Sequence, residues 1–345
     1  MAKTMRAAVF SDFGGPEVVA IRKMPIPEPG AGEVRVKVEA AAMNHLDLWV
    51  RRGLPIETPM PHIGGSDIAG TVHAVGPGAE SVPIGTRVVV DPSLRYHWYE
   101  GQNQGASFEE PPFQLLGEHT QGGFAEYAVV PAENLLEIPG DVSFTEAAAA
   151  GLVFVTAWRG LITRAALVAG ETVLITGASG GVGTAAIQVA ARAGAKVFAV
   201  TSGASSVAKC RELGAHIVYD RKEVSFSREV WRDTDKRGVH VVFDTVGESI
   251  WNDCLRALAP AGRLVTSGAT TGSRGVTELR LVFWRQLSIL GSTMGSPTEF
   301  RRVMRLVFDQ SLKAVIHEVM PLSEARRAHE LLESGKVFGK VVLVP

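Results

Sequence analysis

The chain has 345 residues, 46% of them hydrophobic and 21% charged, and a formal net charge of -1. That length suits two domains on one polypeptide, and the near-neutral balance leaves no basic surplus for nucleic acid or anionic lipid. Its two cysteines, Cys210 and Cys254, form no metal-ligand spacing, so a disulfide-free cytosolic protein is the economical expectation.

The opening MAKTMRAAVFSDFGG carries an apolar run of only four residues, too short for the hydrophobic stretch of a secretory signal. The longest nearly apolar segment, Ala147 to Trp158, falls well short of the roughly 20 residues that span a bilayer. Neither export nor a membrane span is expected. From residue 5 to about 137, short strands such as Val34 to Ala40, Ala69 to Gly76 and Thr86 to Val90 alternate with Gly- and Pro-rich turns, the texture of an irregular β-rich domain. At Ser143 the pattern changes: Glu146 follows three positions on, a capping-box start to a helix. Beyond it, apolar strand runs (TVLITG, KVFAVT, HVVFDTVG, GRLVTSGA) alternate with amphipathic segments, as in a parallel sheet covered on both faces. The tail from about 301 returns to helix, strand and a final KVVLVP strand. No internal repeat or low-complexity tract interrupts the chain.

The strongest motif is TVLITGASGGVGTAAIQVA, residues 172 to 190. An apolar strand runs into Gly177, Ala178, Ser179, Gly180, Gly181, Val182 and Gly183, and a helix follows at once. Gly180 and Gly181 let backbone approach a pyrophosphate, Gly183 permits close helix–strand packing, and the helix start offers free N–H groups and a positive dipole end. The second strand ends at Thr201 and Ser202, followed by Ser206 and Lys209. No acid stands where a ribose 2'-hydroxyl would be held, whereas hydroxyls and a lysine suit a 2'-phosphate. The expected cofactor is NADPH rather than NADH; the alternative is that Ser202 and Ser206 cap the next helix.

Nearly the whole chain resembles the medium-chain dehydrogenase/reductase superfamily. GETVLITGASGGVGTAAIQ is similar to the quinone oxidoreductase (zeta-crystallin) signature, departing at Ala191. PHIGGSDIAGTVHAVGPG, LLGEHTQGGFAEY, LVFVTAW and RQLSILGSTMGS resemble stretches shared by medium-chain alcohol dehydrogenases and quinone reductases. The resemblance implies an α/β protein: a GroES-like catalytic domain over residues 1–136 and 301–345, a Rossmann doubly wound domain over 137–300, and a cleft between them for the nicotinamide. It also implies a homodimer through Rossmann edge strands, here LSILGS.

Departures from the zinc-dependent branch bear on the chemistry. Asn44, Ser66 and Leu152 stand where that branch places zinc ligands, and Asp67 replaces a glutamate. Amide, hydroxyl and alkyl groups do not replace three His, Cys or carboxylate ligands, so no zinc is expected. Residues 92 to 117 resemble a structural-zinc lobe with Tyr96, Tyr99, Gln102 and Glu110 at the cysteine positions. Such a lobe must be ordered by packing, for instance of Tyr96, Trp98 and Tyr99, or move at a substrate entrance.

By resemblance, Asn44 orients the nicotinamide ribose or a substrate oxygen, and Asp47 fixes Asn44 or its backbone neighbours. Trp49 stands at a position where relatives carry a tyrosine. His45 titrates in a range suited to proton transfer; its alternative is a hydrogen-bonded structural histidine, the reading also given to His62 and His119. Thr156, Val246, Gly247, Gly268, Ala269, Ser292, Thr293 and Lys340 are expected around the cofactor, each with core packing or turn formation as its alternative. Asp244, at a strand end, is expected as a solvated turn residue, not as a base. The leading expectation is a zinc-independent, NADPH-dependent reductase of a quinone or α,β-unsaturated carbonyl; the small-molecule partner is expected to be a quinone, enone or aldehyde. The alternatives are an alcohol dehydrogenase or carbonyl reductase with an atypical metal site, and an NADPH-binding protein with a structural or regulatory role.

Overall fold

A computed structural model describes residues 3–96 and 113–345. The chain divides into two compact units, Met1–Leu152 with Gly295–Pro345, and Val153–Met294. Among the described residues, no helix is long and apolar enough to cross a membrane.

The first unit is built on a seven-stranded sheet. Its order is Ile316–Pro321, Lys340–Val344, Glu33–Ala42, Asp67–Val75, Arg87–Val90 and Leu135–Glu137, with Tyr127–Pro131 also paired to Glu33–Ala42. In Glu33–Ala42, Val34, Val36 and Val38 point into the core while their neighbours reach the surface, the period of two that a half-buried strand requires. At Ala40–Ala42 every residue is buried, so both faces of the sheet are covered at this end. The tail strand pairs antiparallel through Val342 with Ala42 and Leu343 with Ala41, while Ala42 also faces Asp67 on the other side. This double pairing brings the ends of three strands, far apart in sequence, to one place.

The expected capping box at Ser143 is present. The Glu146 N–H donates to Ser143 Oγ and the Ser143 N–H to Glu146 Oε2, both at 3.2 Å. The helix it starts, Phe144–Trp158, begins in the first unit and ends in the second, and passes into a π-helical turn over Arg159–Arg164.

The second unit is a six-stranded, all-parallel sheet in the order Ile217–Asp220, Lys196–Thr201, Thr172–Ile175, Val239–Asp244, Leu258–Thr266, Ser288–Gly291. The first-formed strand lies centrally and the chain winds outward on both sides of it, which is the doubly wound Rossmann order. Val173, Leu174 and Ile175 are all fully buried, the continuous apolar run of a strand covered on both faces. Because all six strands run the same way, their carboxyl ends share one edge, and that edge carries the loops of interest.

The short ribbon Ser93–Leu94 with Gln114–Leu115 flanks the lobe read as a degenerate zinc site. Tyr96 is buried against Phe113, ring centroids 5.8 Å apart. Trp98, Tyr99, Gln102 and Glu110 lie outside the described residues.

Candidate functional site

In the second unit, Gly180 caps the helix Gly181–Arg192 with no side-chain bond to its first turn, so the N–H groups there keep their capacity for an anion. The glycines meet different constraints. A Cβ on Gly183 would lie 2.3 Å from Gly177 O and 2.7 Å from Ala178 Cα, so only glycine lets this helix pack so closely. A Cβ on Gly180 would meet nothing nearer than Gly177 O at 3.4 Å, so the space there is open to a ligand. Ser179 and Val182 flank this bend, half-buried.

The other loops of the same edge gather beside it. A Cβ on Gly177 would touch Thr245 Oγ1 at 2.7 Å, one on Gly268 Thr245 O at 2.9 Å, and one on Gly247 Ala269 Cα at 3.0 Å. Asp244 is not the solvated turn residue expected: it ends the strand Val239–Asp244 fully buried, and its carboxylate holds the following turn by accepting from the N–H groups of Val246 and Gly247, each at 3.0 Å, and from Thr176 Oγ1 at 2.6 Å. Thr156 Oγ1 contacts Met294 Sδ at 3.8 Å, so Thr156 and the turn carrying Ser292 and Thr293 also meet. Three buried hydroxyls on this edge, Thr201 Oγ1, Ser267 Oγ and Ser292 Oγ, have no hydrogen-bond partner among the described residues, an expensive state that a polar ligand relieves. Orphaned donors, an uncapped helix start and glycine-permitted space together fit a dinucleotide.

The end of the second strand differs in detail from the expectation. Gly203, not Ser202, caps the helix Ala204–Glu212, and no side chain caps it; Ser206 lies inside that helix. Ser202 Oγ instead accepts from Arg221 Nε at 2.7 Å. The parallel register of Thr201 with Asp220 brings the two together. Arg221 was not legible as a partner from the sequence, being 19 residues away. The Asp220 carboxylate is engaged by the Gly203 and Lys222 N–H groups, at 2.8 and 3.0 Å. Lys209 sits on the exposed face of the helix.

The first unit holds a compact polar cluster. Asn44 precedes the helix His45–Arg52, and Asp47 in its first turn accepts from the Asn44 N–H at 2.7 Å and the Gly65 N–H at 2.9 Å. Lys340 Nζ donates to Asn44 Oδ1 at 2.5 Å and to Asp67 Oδ2 at 2.9 Å. Asn44 Nδ2 donates to that same Asp67 oxygen at 2.9 Å, and the other, Oδ1, accepts from the Leu152 N–H at 2.7 Å. Gly151 makes this last contact possible, since a Cβ there would lie 2.8 Å from Asp67 Oδ1. Asn44, Asp47, Asp67 and Lys340 are all buried.

Burial pushes the Asp47 carboxyl up to about 6, against its two backbone donors and Lys340, which pull it down. Burial, then the Asp47 charge, lifts Glu118 to about 7. His119 stands 3.6 Å from Glu118, yet its Nδ1 accepts the Leu115 N–H at 3.2 Å and burial lowers its pKa. We therefore read a neutral imidazole there, not an ion pair. His45 is exposed by surface area, but crowding by surrounding atoms, then Lys340 and Arg52, lowers its pKa. Its place at a helix N-terminus acts in the same direction. His62 is buried, with Nε2 3.0 Å from Gly117 O, as befits a structural histidine. Ser66 Oγ is buried without a partner, and among the described residues no three His, Cys, Asp or Glu side chains converge as a metal site.

Comparison with known proteins agrees with both units. Residues 30–140 match the alcohol dehydrogenase GroES-like domain and residues 181–309 the zinc-binding dehydrogenase family. Human quinone oxidoreductase is 30% identical, the match covering 99% of this chain and 98% of that protein. An NAD-dependent alcohol dehydrogenase structure is 42% identical with a TM-score of 0.92, covering 99% of this chain and 100% of the other. A crotonyl-CoA carboxylase/reductase in complex with NADP is 27% identical with a TM-score of 0.89, covering 99% and 95%. With a Rossmann unit, a GroES-like unit and full-length relatives in agreement, the chain belongs to the medium-chain dehydrogenase/reductase superfamily, quinone oxidoreductase type, and is an oxidoreductase.

Proposed function

We propose that this enzyme reduces quinones or α,β-unsaturated carbonyls with NADPH and without a metal ion. The observation that carries the reading is the Lys340 ammonium, buried between Asn44 and Asp67. A divalent cation in that cluster would face a fixed positive charge at contact distance; the Asp67 carboxylate is already paired with that charge, and Asp47 is held by the Asn44 and Gly65 N–H groups. Ser66 and Leu152 add no charged ligand. When bound, NADPH supplies the hydride. Asn44 orients the reacting groups, Asp47 holds the Asn44 backbone, and Thr156, Ser292 and Thr293 line the nicotinamide end. The glycine bend from Ser179 to Gly183 holds the pyrophosphate, with Val246, Gly247, Gly268 and Ala269 beside it. His45, with its pKa lowered, is neutral at pH 7 and serves as a proton relay rather than as a charged donor.

Arg221 supports NADPH over NADH. A guanidinium hydrogen-bonded to Ser202, beside Thr201, forms a cationic, hydroxyl-bearing end suited to a 2'-phosphate, with Ser206 and Lys209 on the helix that follows. Arg221→Ala is expected to raise KM for NADPH at least tenfold and to leave KM for NADH within twofold. Equal effects on both nucleotides would refute this assignment.

The alternative, an alcohol dehydrogenase using NAD, draws on the 42% identical neighbour. It predicts NADH preference and metal-dependent oxidation of alcohols, and the same kinetic panel separates the two.

A homodimer is the expected assembly. The edge strand Ser288–Gly291 and the helix before it leave Leu279 71%, Phe283 66% and Trp284 83% exposed, an apolar edge that a second copy would cover. Trp284→Glu should convert a dimer to monomer in sedimentation, and a monomeric wild-type protein would contradict the assignment. Both cysteines are free and buried, which suits a reducing cytoplasm.

A further inference from the structure

We propose that the Lys340 ammonium is the electrophile of the reaction: it holds the negative charge that reduction places on the substrate oxygen, the task a divalent cation performs in metal-dependent enzymes. The proposal rests on the function above and adds to it the group that meets the oxygen.

The hydrogen-bond inventory leads to this lysine. Asn44 Oδ1 is taken by Lys340, and its amide protons go to Asp67 Oδ2 at 2.9 Å and, more loosely, to Ala42 O at 3.5 Å. Asp67 accepts from Asn44, Lys340 and the Leu152 N–H. Of the three N–H bonds of Lys340, two are committed and the third has no partner among the described residues. The Lys340 side chain is 3% exposed, so the field of its ammonium is poorly screened by solvent. Nor is its place incidental. The antiparallel pairing of Val342 with Ala42 and Leu343 with Ala41, continued past the strand end, sets position 340 opposite Asn44. Asp67 pairs with Ala42 from the other neighbouring strand. The sheet register itself delivers the lysine to the site, and its bonds to Asp67 and Asn44 hold it in place. A preorganised donor of this kind costs no reorganisation when charge develops.

The chemistry balances simply. An enone that gains hydride at its β-carbon loses its C=C π bond, and the displaced electron pair passes through the carbonyl onto oxygen. The cofactor is oxidised by two electrons and the enone reduced by the same two. The enolate then takes one proton from water, and Lys340 keeps its three protons throughout.

Removing Lys340 alone strands the Asp67 carboxylate, so a stability loss would mimic a catalytic one. The double variant Asp67→Asn/Lys340→Met avoids this: it removes both members of the buried ion pair together, and Asn44 can pair with the new amide. It is expected to melt near the wild-type temperature and bind NADPH normally, yet to lose about 10²- to 10³-fold in kcat, the usual cost of deleting an oxyanion donor. A double variant within a few-fold of wild-type kcat overturns the proposal.

A second readout needs no turnover. 4-Nitrophenol, whose phenolate mimics the enolate oxygen and is coloured, should ionise at lower pH in the wild-type site than in water, and should not do so with the double variant. If the wild type leaves the phenol titration where it lies in water, the proposal is overturned whatever the variants do. Absence of quinone- or enone-dependent NADPH oxidation by the wild type, with the phenol shift present, would instead refute the substrate class.

Discussion

Gly183→Val is expected to abolish NADPH binding, weakening it at least 100-fold in a fluorescence titration, or about 3 kcal/mol. The atoms a side chain would strike are backbone, Gly177 O at 2.3 Å and Ala178 Cα at 2.7 Å, and they have no rotamer to escape into. The helix Gly181–Arg192 must therefore move off its strand, and its first-turn N–H groups move with it. Gly180→Ala makes the contrasting case. Its Cβ meets only Gly177 O at 3.4 Å, so the fold and melting temperature should survive, while the methyl group enters the space assigned to the pyrophosphate. Loss of affinity without loss of stability at Gly180, and loss of both at Gly183, is the pattern expected. Unchanged affinity in both variants would remove the dinucleotide from this bend.

Asn44→Ala is expected to lower kcat about 100-fold, with KM for NADPH rising less than fivefold. The substitution keeps the backbone N–H that Asp47 holds, so the helix His45–Arg52 should form as before. What disappears is the amide between the Lys340 ammonium and the Asp67 carboxylate. Leaving buried partners short of hydrogen bonds costs about 1–3 kcal/mol in stability, visible as a modest fall in melting temperature. The larger effect should be on rate, because the Lys340 ammonium, still held by Asp67 at 2.9 Å, loses the Asn44 oxygen that fixes its direction. A variant with wild-type kcat would reduce Asn44 to a structural cap.

Much of this was legible in the sequence, and the limit falls at a definite physical level. Buried parallel strands announce themselves by continuous apolar runs, and the glycine bend by a spacing that has one stereochemical use, so the second unit and its edge were readable. Asn44, Asp47 and Lys340 were each singled out through the family resemblance, and the structure brings them into one polar cluster. That Lys340 grips Asn44 was not, because the contact spans 296 residues and depends on the register of a tail strand that the local pattern leaves unassigned. The Arg221–Ser202 pair was missed for a related reason. Its members sit at the ends of adjacent parallel strands, and neighbouring strands in a sheet leave no periodic mark on sequence. Gly151 is invisible in another way: a glycine inside an alanine-rich helix reads as a weak point, whereas here it admits the Asp67 carboxylate to the helix backbone.

The central claim is that hydride transfer in this enzyme proceeds from NADPH with no metal ion at Asn44, Ser66 and Asp67. Protein dialysed against a strong chelator, with its zinc content measured on the same sample, should oxidise NADPH with a quinone or an enone at the undialysed rate. A zinc ion retained in one-to-one ratio, with activity lost on its removal and restored on its return, would contradict the account.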